Sequence, residues 1–398
     1  MKRTTINILI LWLSLSLLVS ATEPKPNFVF ILIDDMGWSD PGCYGSDFYQ
    51  TPNIDRLATE GMMFTNAYAA CHVCSPTRAS ILTGLYPARV HITDWLPGRP
   101  EPFARLRIPK INQSLPQKTV TLAEALKQAG YASASIGKWH LGGKGSLPTD
   151  HGFDLNVGGS AAGHHAGMFS PYKVPIAADK KGEYLTDRLT DESMKFIKAN
   201  KDKPFFLYLP YYAVHRPLQA KADRIAKYKA RIRPGQVQRN AIFAAMVDSL
   251  DENIGRLSAG LAELGIDDRT IVIFMSDNGS LEFISPPVPL RAGKGTIYEG
   301  GLRVPMIVKW PGKVKPGTAC NQPVISVDFY PTILEMAGIK SKHPVDGVSL
   351  VPLLKQEGVP TRDAIYWHYP HYSNNRLPPC GAIRMGNFKL IEFYEDGR

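Results

Sequence analysis

The run at residues 27–33 carries six apolar residues in succession after Asn27, with no polar position to face water. That pattern predicts a strand buried on both faces, as in a parallel sheet covered by helices. Residues 205–209 and 270–275 repeat it, and runs at 131–136 and 304–310 predict two further strands. Helical patterns fall between them. Residues 121–129 predict a helix closed by Gly130. From Ala241 onward Ile242, Met246, Leu250, Ile254, Leu257, Leu261 and Leu264 recur at steps of three and four, which predicts a long amphipathic helix ending at Gly265. Asp328 is placed to cap a helix reaching Met336 before Gly338. Strand and helix patterns in alternation predict an α/β fold: a large mixed, mostly parallel sheet flanked by helices.

The pattern changes at its two ends. Lys2 and Arg3 precede an apolar run at 8–19 that is shorter than the roughly 20 residues a membrane span needs, and small residues follow at Val19-Ser20-Ala21. Residues 1–21 therefore predict a cleaved signal peptide, and no cysteine follows closely enough to suggest a lipid anchor. The expected protein is exported, periplasmic or secreted, with no stable membrane anchor. Residues 22–345 then form the main domain. Residues 346–398 predict a small antiparallel subdomain, with short, aromatic, turn-rich segments. Its last strand, 388–393, runs into a turn-like Glu395-Asp396-Gly397 with no return strand after it, so either the partner strand lies elsewhere or the subdomain is incomplete.

Charge narrows the partners. The formal net charge is +10, and the excess survives removal of Lys2 and Arg3, which favours a polyanion held in a salt-dependent way. Acidic polysaccharide fits an exported protein; no nucleic-acid-binding motif is present. The densest basic run, Lys221, Arg224, Lys227, Lys229, Arg231 and Arg233, reads as a solvated face. Cysteines number five, at 43, 71, 74, 320 and 380, an odd count that leaves one thiol over from any pairing.

The candidate chemistry sits just past the predicted strands, where α/β sheets collect their ligands. Asp34 and Asp35 follow the first, Lys138 and His140 the second, His215 the third, Asp277 and Asn278 the fourth. Alone, each has an ordinary reading as turn or packing residue; together they suggest one site. Asp34, Asp35, Asp277 and Asn278 offer oxygen donors, which favour calcium or magnesium over zinc. Cys74-Ser75-Pro76-Thr77-Arg78 adds a Cys-x-Pro-x-Arg motif expected just before a helix, where Pro76 costs little and exposed amides favour an anion.

With these residues, the segments Gly137-Lys138-Trp139-His140, His215-Arg216-Pro217, Ser276-Asp277-Asn278-Gly279 and Gly293-Lys294-Gly295-Thr296 occur in an order that resembles the type I, formylglycine-dependent sulfatases, galactosamine-directed members in particular. The resemblance implies an alkaline phosphatase-like fold with a small C-terminal antiparallel unit. It implies a sulfatase that hydrolyses sulfate esters, here on a sulfated galactose or N-acetylgalactosamine polysaccharide. It implies Ca2+ held by Asp34, Asp35, Asp277, Asn278 and the residue at Cys74, and a formylglycine made from Cys74 by a formylglycine-generating enzyme. One hydroxyl of its hydrate attacks sulfur as the alcohol leaves, and the second then collapses to the aldehyde and expels sulfate. In that scheme Arg78 and Lys138 hold the hydrate, Lys294 binds sulfate, His140 takes the hydrate proton, and His215 serves sulfate or the departing alcohol; which side chain protonates that alcohol stays open.

Two other readings compete. The same nucleophile serves phosphoester and phosphonate hydrolases. A non-catalytic binder of sulfated glycans would also be basic, although such a binder has no need of an oxidisable cysteine in this motif. Trp95, His164, His165, Tyr211, Trp367, His368 and His371 are candidates for sugar contact, with ordinary packing as the competing role of each.

Overall fold

A computed structural model describes residues 25–373 and 377–397, so the segment expected to be a signal peptide lies outside the described residues. Its centre is an eight-stranded sheet. In spatial order the strands are Leu155–Val157, Ala132–Ile136, Phe205–Pro210, Asn27–Ile33, Thr270–Ser276, Met306–Lys309, Met62–Phe64 and Thr318–Cys320. The first five are mutually parallel, and Met306–Lys309 is antiparallel to both its neighbours. The predicted α/β class and the small antiparallel unit are both present.

The two-sided burial expected of 27–33 has a simple cause. Val29, Ile31 and Ile33 pack under the helices Leu185–Asn200 and Ala241–Glu263, while Phe28, Phe30 and Leu32 pack under Cys74–Thr83, Leu122–Gln128 and Phe329–Met336. Alternate side chains of one strand thus feed two separate cores.

Local differences from the sequence reading have identifiable reasons. The strand expected at 304–310 is confined to Met306–Lys309, because Arg303 and Val304 pair instead with Tyr68 and Ala67 as the chain leaves a short helix at Glu299–Leu302. Asp328 does not cap the helix after it. Its carboxylate takes the Ile325 N–H at 2.9 Å, closing the tight turn at Ser326–Asp328, and accepts both terminal nitrogens of Arg362 at 2.6 and 2.8 Å. All five cysteines are free thiols. The basic run around 221–233 is partly neutralised: Lys221 pairs with Asp187, and Arg224 and Lys227 pair with Asp248.

The terminal strand Phe388–Phe393 finds its partner upstream, in a three-stranded antiparallel sheet with Cys380–Met385 at its centre and Ala364–Tyr369 beyond. One face of this sheet docks on the main domain. Trp367 donates its indole N–H to the Ala69 carbonyl at 2.9 Å, and Lys389 reaches the Ile297 carbonyl and Glu299, both at 2.9 Å. Among the described residues, no helix is long and apolar enough to cross a membrane.

Candidate active site

Because the strands ending at Ile33, Ile136, Pro210 and Ser276 run parallel, their following loops meet on one edge of the sheet. The turn out of Ala132–Ile136 depends on Gly137, with φ of 127° and a backbone so close to the Pro210 carbonyl that a Cβ would lie 2.0 Å from that oxygen. Two non-glycine residues accept the left-handed region here, Asp35 (φ 68°) and His140 (φ 58°). Such conformations cost free energy and persist where the surroundings impose them.

Cys74 is the first residue of the helix Cys74–Thr83 rather than the residue before it, and all ten residues of that helix are buried. Arg78, one turn on, is fully buried. Its Nε and Nη2 donate to Asp277 Oδ2 at 3.0 and 2.7 Å, and its Nη1 donates to the Lys138 carbonyl at 2.9 Å. Lys138 Nζ donates to Asp34 Oδ2 at 2.7 Å. Lys294 pairs with Asp35 Oδ1, which also accepts from Asn278 Nδ2 at 2.8 Å. Three carboxylates and three cationic side chains therefore interleave, all of them buried except Lys294, which is partly open to the cavity, and removal of a buried member strands its partner.

The carboxylate cluster retains unused valence. Asp34 Oδ1, Asp35 Oδ2 and Asn278 Oδ1 are buried and have no hydrogen-bond partner. Ligand atoms of Asp34, Cys74 and Asp277 lie within 4.8 Å of one another, as do those of Asp34, Asp35 and His215. Burial, and after it the neighbouring Asp34, raise the Asp277 carboxyl against the pull of Arg78. Three orphaned hard oxygens beside crowded carboxylates fit a calcium-like or magnesium-like dication.

The two histidines are held differently. His140 Nε2 donates to the Leu96 carbonyl at 2.6 Å, which leaves Nδ1 as the lone-pair nitrogen, buried and without a partner. Burial, with Lys138 adding to it, keeps this imidazole well below its ordinary range, hence neutral. His215 Nδ1 donates to the Arg216 carbonyl at 2.6 Å, and its Nε2 stands 3.6 Å from Asp35 Oδ2. Burial lowers His215 to about 3 although Asp35 opposes it. Burial also pulls Lys294 down, but the Asp35 carboxylate more than offsets this and holds the ammonium above its usual range. The Cys74 thiol is raised by burial, with Lys138 and Lys294 opposing.

Above this floor opens a cavity of about 510 Å³, lined by Cys74, His140, His215 and Lys294 below and by Trp95, His164, Arg216 and Phe283 among others around the mouth. Gly163 allows the close approach of one wall, since a Cβ there would lie 2.6 Å from the His140 ring. Of the residues proposed for sugar contact, Trp95 and His164 face this cavity. Tyr211 is packed in the core, bonded to Thr190 at 2.7 Å. His165 sits behind His215 and donates to its carbonyl at 3.0 Å. Trp367 anchors the small sheet, His368 pairs with Tyr394, and His371 with Thr93. Phe283 and the Leu96 carbonyl escaped the sequence reading, and Arg216 entered it only as part of a motif. Exposed loop side chains carry no periodic signal, and a backbone carbonyl carries none at all.

Comparison with known proteins agrees with the geometry. The family model described as Sulfatase matches residues 26–339, and that described as N-sulphoglucosamine sulphohydrolase, C-terminal, matches residues 293–398. A sulfatase of Formosa agariphila is 33% identical over 94% of this chain and 81% of its own length. The N-acetylgalactosamine-6-sulfatase of Rattus norvegicus is 33% identical over 94% of this chain and 73% of its own. Among solved structures, Ps i-CgsB in complex with k-i-k-neocarrahexaose superposes with a TM-score of 0.80 at 32% identity, covering 92% of this chain and 84% of that one.

Proposed function

The chain belongs to the sulfatase family and is a sulfuric ester hydrolase of alkaline phosphatase-like fold, and from that premise we propose that it is a calcium- and formylglycine-dependent enzyme acting on sulfated galactose or N-acetylgalactosamine units of an anionic glycan. One observation carries the reading: Cys74 opens a buried helix at the base of the cavity, among Arg78, Lys138 and Lys294 and beside three unpartnered oxygens. The galacto assignment is supported by the rat relative and by the oligosaccharide bound in Ps i-CgsB.

Asp34, Asp35, Asp277 and Asn278 would hold the calcium, which would supply Lewis-acid chemistry to the sulfate. Oxidation of Cys74 by a formylglycine-generating enzyme supplies the nucleophile. The chain's own groups do the rest. Arg78 and Lys138 fix the nucleophile by orienting its oxygens, and Lys138 and Lys294 hold the sulfate by charge. The first-turn amides of Cys74–Thr83 face the same anion. His140 Nδ1 takes the proton released at residue 74, since its other nitrogen is committed to Leu96. His215 Nε2 and Lys294 Nζ flank Asp35; with Nδ1 of His215 committed to Arg216, Lys294 is the protonated member of the pair and gives the proton to the departing oxygen, while His215 Nε2 accepts from the substrate. The cavity excludes water from the reacting centre and orients the sugar.

We assign catalysis to residues 22–345 and export to the segment 1–21. Mass spectrometry of the Cys74 peptide from an exporting host tests the nucleophile: aldehyde in place of thiol is expected, and thiol alone in fully active protein would overturn it. Sulfate release from defined saccharides tests the sugar. Cleavage of glucosamine sulfates with refusal of every galacto-configured substrate would overturn that part alone.

A further inference from the structure

About the small sheet's junction with the main domain lies a second group of ligating side chains, separate from the carboxylates of the active site. Asp94, Glu101 and His371 each offer an atom within 4.8 Å of the others. Asp94 and His371 are almost wholly buried, and the Glu101 side chain is 6% exposed. We infer that these three residues form a second cation site, suited to zinc or manganese, that pins the Trp95–Pro97 wall of the cavity to the C-terminal sheet.

The hydrogen bonds leave room for that role. Asp94 uses Oδ1 twice, accepting from the Tyr369 hydroxyl and from the Trp95 N–H, both at 2.8 Å. His371 uses Nε2, 2.8 Å from Thr93 Oγ1. Glu101 uses Oε1, which accepts the Tyr372 N–H at 3.1 Å and lies 3.7 Å from Arg99 Nε. Its other oxygen, Oε2, is buried and has no partner. An unpartnered carboxylate oxygen in a dry site is costly, and Arg99, which also binds the Tyr372 carbonyl, is the cation the geometry supplies.

The electrostatics point the same way. Burial pushes Asp94 up to about 6, with Tyr369, Trp95 and Arg99 opposing and Glu101 adding to the rise; burial also raises Glu101. Two carboxylates this close need a proton or a metal between them. An imidazole among the donors selects a borderline cation over calcium, and three protein ligands leave a position for water. The placement gives the site its purpose. Asp94 and Glu101 flank the segment whose Trp95, Leu96 and Pro97 line the cavity, and the Leu96 carbonyl fixes His140. His371 follows the strand Ala364–Tyr369 of the small sheet.

The test is metal stoichiometry of the full chain carrying Asp277→Ala, which weakens binding of the active-site ion, and the readout is the difference that loss of Glu101 or His371 makes. Dialysed against zinc chloride or, separately, manganese chloride, this protein is expected to retain one equivalent by elemental analysis. Adding Glu101→Gln, which keeps an acceptor for Tyr372, is expected to weaken that binding at least tenfold. Retention of none, or unchanged affinity in Glu101→Gln, would overturn the site. Should the double variant fail to fold, cobalt(II) titrated into the folded Asp277→Ala protein reads the same ligands. Visible absorption with an imidazole contribution, diminished in Asp277→Ala/His371→Gln, is expected, and a spectrum indifferent to His371 would refute the proposal.

Discussion

The floor and the mouth of the cavity are built on opposite principles. On the floor, Asp34, Lys138, Arg78 and Asp277 are fully buried, issue from strand ends or a buried helix, and satisfy one another by direct ion pairs. At the mouth, Phe283 and Arg216 are exposed and Trp95 is partly so, all on loops, with Phe283 75% open to solvent. A floor of this kind fixes the reaction and tolerates no change. A mouth of this kind can select the sugar and be altered cheaply, because each of its side chains acts almost alone.

The sharpest way to break that contrast is at the nucleophile. Cys74→Ala is expected to lower sulfate release on the order of 10⁵–10⁶-fold while calcium content, read by elemental analysis, stays unchanged. Activity near the parent's would remove residue 74 from the mechanism. Asp277→Ala should do structural damage as well, since it strips the buried Arg78 guanidinium of its closest carboxylate and leaves only Asp34, at 3.8 Å. A loss of about 3–5 kcal/mol is expected in urea unfolding, and stability equal to the parent's would show that the floor is not interdependent.

A third variant probes the support beneath the floor. Asp40 is fully buried, accepts the Gly37 N–H at 2.6 Å and the Ser285 hydroxyl at 2.6 Å, and thereby ties the Asp34-Asp35 loop to the loop carrying Phe283. Burial raises it to about 7 from an ordinary 3.8, with Ser285 and Gly37 opposing. Because the folded pKa is the higher one, the proton's contribution to stability is complete below about pH 4 and is lost as pH rises to about 7. Its limit is about 4 kcal/mol. Thermal unfolding of Asp40→Asn from pH 4 to 8 should therefore fall less with pH than the parent's. Parallel curves would mean that Asp40 titrates normally.

The smallest effect is expected at the mouth. Trp95→Ala should lower kcat/KM for a sulfated oligosaccharide by about 3–10-fold, the worth of one aromatic contact, mostly through KM. It should leave a small aryl sulfate nearly unaffected. Equal losses on both substrates would place Trp95 with the floor.

Legibility followed the same division. The segments 27–33, 205–209 and 270–275 were readable because strands buried on both faces admit only apolar residues, and Asp34, Lys138, His215 and Asp277 were readable because parallel strands deliver functional groups at their ends. Tyr211 misled for the same reason: one position past a strand end, an aromatic can turn back into the core as easily as out to the cavity. Trp367 and His371 misled because the three-stranded sheet swings its aromatic strand inward against Ala69 and Thr93.

Sequence by itself determined the fold class, the Cys74 motif and the set of charged residues available to the site, since periodicity and residue type are local properties of the chain. Tertiary structure alone decided which oxygens were left without partners, which nitrogen of His140 was free, and that the side chains of residues as distant in sequence as Asp94 and His371 come within 4.8 Å of one another. These depend on the packing of one loop against another, and no local pattern encodes such a meeting.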